Sequence, residues 1–216
     1  EPLVKMWGHL GFTVRMSHLG QDYIDMVKNP KFGRGKKMNP CVDCRIMMIS
    51  WAREALEREG AGFLITGEVL NQRPMSQTWE RFRQIDRQLG LEGLVVRPLS
   101  GKILPATLPE KEGILDRSKL LDISGRGRHR QYELAKHYGI TDIPQPSGGC
   151  LLTDPGYSAR LRDLWDHDPD AGARDINLLR IGRHFRPSPE CKVIVGRIEA
   201  ENHALQAFQG KGDVLV

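Results

Sequence analysis

Hydrophobic and polar positions change their spacing along the first hundred residues of the chain. Helical spacing predicts helices in "DYIDMVKN", in "CRIMMISWAREALERE" from Cys44, and in "MSQTWERFRQIDRQLG". Short apolar runs predict strands in "FTVRMSHL" (Phe12–Leu19), "GFLITG" and "GLVVRP". Ser76 stands where the third helix should have its N-cap, and Gly90 stands past its end. Helix and strand in alternation favour a parallel sheet with crossover helices.

The pattern changes after about Pro155. A helical stretch from Tyr157 to Trp165 and an Asp-rich loop precede a predicted strand, "KVIVGR", and a predicted helix, "EAENHALQAF". We therefore expect two domains, one over residues 1–155 and a small α+β unit over residues 156–216.

Composition places the chain among ordinary globular proteins, with 39% hydrophobic and 27% charged residues in 216 positions. No apolar run approaches the roughly 18 residues of a membrane span, so no membrane partner is expected. Four cysteines are too few for a disulfide scaffold, and a close pair among them indicates a reducing compartment, which we take to be the cytoplasm. Lys and Arg exceed Asp and Glu by 32 to 27, which permits a nucleic-acid partner without demonstrating one.

The cysteines are the main candidates for chemistry. In "NPCVDC", Cys41 and Cys44 lie at the mouth of a predicted helix, where backbone N–H groups and the helix dipole favour anionic sulfur. Cys150 follows the Pro/Gly loop "PQPSGG", in which the backbone can approach a bulky ligand closely. Three thiolates suit an iron–sulfur cluster with one open iron, or a zinc ion completed by a residue such as His184. A reduced pair without a ligand fits the spacing equally well, and Cys191 is expected to be a core or boundary residue.

A polar loop, "TGEVLNQRPMSQ", follows one predicted strand and opens toward a helix. Ligands of parallel sheets gather where loops leave the carboxyl ends of strands. The side chains expected to face such a crevice are Glu68, Gln72, Arg73, Ser76 and Gln77. The alternative is an ordinary polar loop in which Ser76 caps the helix.

Two basic stretches are candidates for phosphate contacts. "KFGRGKK" carries Lys36 and Lys37 immediately before the cysteine pair, and "SGRGRHR" carries Arg126, Arg128 and Arg130 at the start of a predicted helix. Arginines alternating with glycines can follow a phosphate backbone and can stack on unpaired bases. A solvated charged surface is the alternative for both stretches.

These segments together carry a resemblance. "ITGEVLNQRPMSQ" and "VVRPLSGKILPAT" resemble a segment of the tRNA 4-thiouridine synthase family, which are PP-loop ATPases related to the tRNA 2-thiouridylases. "NPCVDCRIMM" and "PSGGCLL" resemble the two cysteine-bearing loops of PP-loop tRNA thiolation enzymes. The resemblance covers roughly Phe12 to Asp154, and the joint match is specific. It implies a Rossmann-like parallel sheet of the adenine nucleotide alpha hydrolase (PP-loop) type.

The resemblance implies a tRNA sulfurtransferase, with tRNA and a sulfur donor (sulfide or a cysteine desulfurase) as partners and a homodimer as a compatible state. Cys41, Cys44 and Cys150 would be the catalytic residues and would hold a 4Fe–4S cluster. ATP with Mg²⁺ would adenylate a uridine carbonyl oxygen, sulfide would attack the carbon, and adenosine monophosphate would leave. Two alternatives are a persulfide on Cys150 with one thiol of the pair, and a zinc-stabilised RNA-binding module without catalysis.

One departure from the family concerns ATP. The SGGxDS turn that cradles the pyrophosphate in PP-loop enzymes does not occur in the sequence, and "SGGC" at Ser147–Cys150 shares only three of its letters. In the family this turn lies before the position of Phe12, where only eleven residues remain in this sequence. We therefore expect an N-terminally incomplete PP-loop domain. The alternatives are that a separate protein supplies nucleotide binding, or that ATP is not used.

The C-terminal stretch resembles a second family. "LLRIGRHFR" and "VIVGRIEAENHAL" are similar to the RNA-associated module of the NFACT proteins of ribosome quality control. This implies that Arg197 and Asn202 lie at a functional turn, and the alternative is a small strand–helix cap on the main domain.

Overall fold

The computed structural model describes residues 13–141, 143 and 150–214 of the chain. The helices within them are α1 (Gln21–Lys28), α2 (Cys41–Glu59), α3 (Trp79–Gln88), α4 (Leu108–Lys111), α5 (His129–His137), α6 (Pro155–His167), α7 (Ala173–Leu178) and α8 (Glu199–Ala207). The strands are β1 (Leu64–Ile65), β2 (Val95–Val96), β3 (Arg183–Ser188) and β4 (Cys191–Val195). The start of the first predicted strand at Phe12, and the predicted Pro/Gly loop with Ser147 before Cys150, lie outside the described residues. No described helix is both long enough and apolar enough to span a bilayer.

The described residues divide into two compact units, each drawn from separate stretches of the chain. Unit 1 contains Lys31–Gly33 and residues 40–141, and unit 2 contains Arg15–Pro30, Arg34–Asn39 and residues 150–214. The predicted domain boundary after residue 155 stays a prediction.

Unit 1 is built around a short βαβ arrangement. Strands β1 and β2 pair in parallel, with Leu64 opposite Val95 and Ile65 opposite Val96, and α3 lies in the crossover between them. The core consists of buried apolar side chains from α2, from α3 and the turn that follows it, and from β2: Ile49, Ile85, Leu89, Leu91 and Val95. The predicted α/β class is therefore confirmed. A Rossmann-like sheet is not: the parallel strands of the described residues number two.

One predicted strand and one predicted helix cap are wrong. Residues 13–19 of the predicted strand Phe12–Leu19 form no strand, and apart from the half-buried Val14 they are exposed, so no burial compensates the cost of ordering an extended segment. The third predicted helix starts later than Ser76, because Thr78 is its N-cap and accepts a hydrogen bond from the Arg81 N–H at 3.3 Å. The predicted end is confirmed, since Gly90 follows with a left-handed φ of 64°.

Unit 2 packs α1 and α6 around an apolar cluster that includes Val27, Met38, Leu161 and Leu179. Its strands β3 and β4 form an antiparallel hairpin with a bulge before Ser188. The sequence pattern predicts β4 and α8 but misses β3, whose "RHFRPS" mixes charges with a proline.

Asp163 on α6 ties the hairpin to the helix. Its Oδ1 accepts from Arg186 Nε at 2.6 Å, and its Oδ2 accepts from Arg186 at 3.0 Å and from Lys192 Nζ at 3.1 Å. The hydrogen bonds from Arg186 hold the pKa of Asp163 well below its ordinary value, with Lys192 adding to the effect against partial burial. One carboxylate therefore fixes one residue from each strand of the hairpin.

We expect Asp163→Asn to lower the free energy of unfolding by about 1 kcal/mol at pH 7, because two half-buried cations lose their partner. A carboxylate with a depressed folded pKa contributes stability above its unfolded pKa of about 3.9 and loses that contribution as pH falls below it. Urea unfolding from pH 7 to pH 3 should therefore show the difference between wild type and variant narrowing below about pH 4.

Asp166→Asn is the matched control, because Asp166 is an exposed carboxylate on the same helix. It should change the free energy of unfolding by less than about 0.5 kcal/mol. Equal stability of Asp163→Asn and wild type at pH 7 would show that the network contributes nothing.

Candidate functional site

The cysteine pair lies in the first turn of α2, as the sequence predicts. The helix begins at Cys41, and the Cys44 N–H donates to the Pro40 carbonyl at 2.9 Å. Residues three apart in a helix lie on the same face, so both thiols project from one side of the helix start, where the dipole favours anionic sulfur. This donor pair suits a soft metal or cluster.

Asp43, between the two cysteines, anchors the loop before the helix. Its carboxylate accepts from the Lys31 N–H at 2.8 Å and from the Phe32 N–H at 3.1 Å. Only 7% of Asp43 is exposed. Asp43 therefore has a structural role, because its carboxylate holds the backbone of Lys31 and Phe32 against the first turn of α2.

Cys150 belongs to unit 2, whereas Cys41 and Cys44 belong to unit 1. Its carbonyl accepts from the Thr153 N–H and hydroxyl, both at 2.7 Å. Its side chain packs against the core of unit 2 and lines a cavity of about 360 Å³ whose walls include Tyr157 and Trp165. Burial raises the pKa of Tyr157 above its ordinary value, so the cavity wall carries a neutral phenol at pH 7.

None of the four cysteines, all of them among the described residues, forms a disulfide. Within residues 13–141, 143 and 150–214, no group of three or more His, Cys, Asp or Glu side chains is arranged to hold a metal ion. The three-cysteine site and its zinc alternative stay predictions. Cys191 is exposed at the first residue of β4, so it is a boundary residue and not a core residue.

His184, the predicted closing ligand of the zinc alternative, is half-buried on β3. Its Nε2 lies 2.8 Å from the Ile181 carbonyl, and burial lowers its pKa. The ring is therefore neutral at pH 7, with Nε2 donating to that carbonyl.

A buried ionic network lies where the parallel strands of unit 1 end. Arg97 directly follows β2 and donates from Nε to Glu68 at 3.0 Å and from its two terminal nitrogens to Asp86 at 2.9 and 2.8 Å. Its guanidinium also lies 4.0 Å from the centroid of the Phe82 ring. Arg97, Glu68 and Asp86 are 5%, 2% and 8% exposed. The opposite charges compensate one another in this buried site.

The second oxygen of Glu68 faces Arg45 on α2. Arg45 Nε lies 3.0 Å from Glu68 Oε1, but the pairing is a charge contact only, because Oε1 accepts no hydrogen bond from the described part of the chain. Burial raises the pKa of Asp86 above its ordinary value, although the hydrogen bonds from Arg97 favour its charged form. Glu68 is thus committed to two arginines and connects α2 to the strand ends.

The remaining residues of the polar loop differ in exposure. Ser76 and Gln77 are buried, and Gln72 and Arg73 are half-exposed. The loop is closed by backbone hydrogen bonds, from the Asn71 N–H to Gln77 at 2.6 Å and from the Gln77 N–H to Arg73 at 2.8 Å. Gln77 Oε1 is buried and accepts no hydrogen bond from a described residue. The predicted role of the loop in binding substrate stays a prediction.

The two basic stretches belong to different units. Lys36 and Lys37 are exposed in unit 2, and the backbone of Lys37 has a left-handed φ of 61°. In unit 1, Arg126 is exposed and Arg128 is half-exposed at the N-cap of α5, while Arg130 pairs with Asp122 at 2.7 Å. The charge of Arg130 is therefore partly compensated, and Arg126 and Arg128 are the better candidates for phosphate contacts.

The turn between β4 and α8 is a structural one. Asn202 Oδ1 accepts from the Gly196 N–H at 3.0 Å, and the Arg197 N–H donates to Glu201 at 2.7 Å. A Cβ at position 196 would lie 2.2 Å from Asn202 Oδ1, so only glycine fits there. Asn202 therefore holds the turn, whatever the turn itself contacts.

Two segments of the chain match models of known protein families. Residues 1–107 match the family model described as thiamine biosynthesis protein (ThiI), and residues 182–216 match the model described as the NFACT protein RNA binding domain. The chain therefore contains one segment that is similar to ThiI and a second segment that is similar to the NFACT RNA binding domain. Both predicted resemblances are confirmed. No curated protein and no solved structure matches the chain.

The ThiI segment contains α2 with its cysteine pair, the polar loop and the Arg97 network. Cys150 and Arg126 lie between the two matched segments. The ThiI match supports a tRNA sulfurtransferase in general, and the NFACT match supports an RNA partner. The buried network escapes sequence prediction, although one signal was available: Asp86 stands among Phe82, Ile85 and Leu89 on the apolar face of α3, where a charge requires a partner.

We predict that Arg97→Met lowers the free energy of unfolding by about 3–5 kcal/mol, because the buried Asp86 loses its compensating charge and the buried Glu68 keeps only its contact with Arg45. Arg87→Met is the control: Arg87 pairs with Glu92 on the surface and its loss should cost less than about 0.5 kcal/mol. Denaturant unfolding measures both variants.

The triple variant Arg97→Met, Glu68→Gln, Asp86→Asn removes all three charges and should be more stable than Arg97→Met alone. Equal stability of the single and triple variants would mean that the loss comes from packing of the Arg97 side chain and not from uncompensated charge.

Proposed function

We propose that this protein is an ATP-dependent tRNA sulfurtransferase that replaces a uridine carbonyl oxygen by sulfur. The observation that carries the proposal is the ThiI match over residues 1–107, because that segment contains the thiol pair in the first turn of α2. The NFACT-type segment supports a tRNA substrate, since it adds an RNA-binding element to the same chain.

Cys41, Cys44 and Cys150 are proposed to hold a 4Fe–4S cluster. The donor set fits such a group in its chemistry: two thiols project from one face of a helix start, where the dipole stabilises negative charge, and a third thiol leaves one iron without a protein ligand. The cluster, when bound, supplies an iron that holds exogenous sulfide.

The overall reaction balances as an exchange of oxygen for sulfur. The uridine carbonyl oxygen attacks the α-phosphorus of ATP and pyrophosphate leaves. Sulfide then forms a bond to the carbon, the carbon–oxygen bond breaks, and adenosine monophosphate carries the oxygen away. The half-exposed Gln72 and Arg73 of the polar loop are proposed substrate contacts. Glu68 is proposed to act on them indirectly, by fixing the start of the loop through Arg45 and Arg97.

Replacing Cys41, Cys44 or Cys150 singly with Ser should reduce tRNA thiolation by about a hundredfold or more, because residues that act as one unit fail together. Cys191→Ser is the matched control and should keep full activity, since Cys191 is exposed on the hairpin. The measurement is thiouridine in tRNA by mass spectrometry, with anaerobically prepared protein and with and without ATP.

Metal analysis of the same samples distinguishes the iron–sulfur cluster from the zinc module and from persulfide chemistry. Four irons per chain and their loss in the three variants support the cluster. One zinc without iron, or activity that survives without any metal, contradicts it and favours the zinc module or the persulfide chemistry respectively. Product formation without ATP would contradict the adenylation step.

The exposed arginines before α5 lead to a second prediction, which concerns tRNA binding. Replacing Arg126 and Arg128 together with Gln should weaken tRNA binding and flatten the plot of log affinity against log salt by about one to two units, because each phosphate contact contributes roughly 0.7 to 0.9. Cys41→Ser should leave the slope unchanged, once thermal unfolding has shown that this variant is folded. Unchanged affinity and slope in the arginine variant would identify a solvated surface.

A further inference from the structure

The β3–β4 hairpin of unit 2 has two different faces. Along both strands exposed residues alternate with half-buried ones. The half-buried face carries His184, Arg186, Lys192 and Ile194, and Asp163 holds two of these from below. The opposite face is exposed to solvent.

The exposed face is apolar and aromatic. Phe185 is 53% exposed, and its cross-strand partner Val193 is 39% exposed. Val195, on the same face, is 48% exposed and pairs with Arg183. Clustered exposed apolar side chains of this kind mark binding surfaces more often than isolated ones do.

Positive charge borders this face and negative charge is absent from it. Arg183 is two residues before Phe185 on one strand, so both side chains project to the same side at roughly 7 Å spacing. Arg183 has no ion-pair partner among the described residues, and the outward-facing strand positions of the hairpin carry no Asp or Glu. A ligand with flat apolar surface and negative charge fits such a face.

From this exposure and charge we propose that the outward face of the β3–β4 hairpin is a stacking platform for unpaired RNA nucleotides. A base would stack on Phe185, and Arg183 would bind a neighbouring phosphate. Unpaired bases stack on aromatic side chains and on arginine planes, whereas a duplex hides its bases and offers mainly phosphates and 2′-hydroxyls. The whole hairpin lies inside the segment that matches the NFACT RNA binding domain. The inference rests on the proposed RNA-binding function and specifies where and how the RNA is contacted.

The experiment uses the full chain and three labelled probes: a single-stranded 12-nucleotide oligouridine, a 12-base-pair RNA duplex and total tRNA. Fluorescence anisotropy gives the affinities over a range of salt concentrations. Phe185→Ala should weaken binding of oligouridine by about five- to a hundredfold, which is the usual effect of removing one stacking side chain. Duplex binding should change by less than about twofold, since a duplex presents no free base.

Salt dependence separates stacking from charge. Phe185→Ala should lower affinity with the slope against log salt unchanged, because no phosphate contact is lost. Arg183→Gln should flatten the slope by about 0.7, the value for one phosphate of a single strand. Phe185→Tyr should retain affinity within about threefold, because the ring is kept.

Two controls guard against a general effect. Ile114→Ala truncates an equally exposed apolar side chain in unit 1 (62% exposed) and should change nothing. Phe185→Ala should melt within about 2 °C of wild type, because the ring is on the surface.

Three results overturn the platform. If Phe185→Ala binds every probe as wild type does while the Arg126, Arg128 variant is weakened, RNA binding stands and the platform fails. If wild type binds none of the probes, the RNA-binding function fails as well. If Phe185→Ala converts a dimer into a monomer in sedimentation without affecting oligouridine binding, the face is an interface between copies of this chain.

Discussion

Unit 1 depends on the ion pairs that the Arg97 guanidinium makes with two buried carboxylates. The guanidinium joins Glu68 after β1, Asp86 on the crossover helix α3 and its own position at the end of β2. A parallel pair of two residues per strand makes few hydrogen bonds of its own, so the ion network and the apolar core must hold the strand ends in register. Because the three charges are buried, each one is costly without the others. The start of the polar loop is fixed as a consequence.

Asp163 has a similar structural role in unit 2. Its ion pairs stabilise the fold less than those of Arg97, because Asp163 is partly exposed. Through Arg186 and Lys192 it holds one face of the hairpin against α6. Strand geometry then determines the rest: side chains alternate, so fixing Arg186 and Lys192 inward directs Phe185 and Val193 outward. The exposed apolar face is thus a consequence of which residues pair with Asp163.

Local signals were enough for the longer helices, but they missed the short helices α4 and α7 and were too weak to reveal the Arg97 network. The spacing of apolar residues predicts α2 and α8. The cap of α3 was placed at Ser76, whereas Thr78, two residues later, is the residue whose hydroxyl accepts from the Arg81 N–H. The segment before α1 alternates like a strand, but residues 13–19 form no strand and are mostly exposed. β3 was missed because its inward positions include His184 and Arg186, which do not read as core residues. Arg186 is held there by the Asp163 carboxylate, 23 residues away. Glu68 was assigned to a ligand crevice because nothing local reveals its pairing with Arg97, 29 residues later.

Burial sorts the arginines by role, which composition cannot do. The chain has five more basic than acidic groups, yet Arg97 and Arg186 are committed to carboxylates inside the fold and contribute little to the outer field. The charge that can attract a phosphate backbone resides instead on exposed arginines such as Arg126 and Arg183, which have no ion-pair partner among the described residues. Affinity for RNA depends on such contacts and decreases with salt. Net charge therefore does not show where positive charge is exposed, whereas the burial and pairing of the individual arginines do.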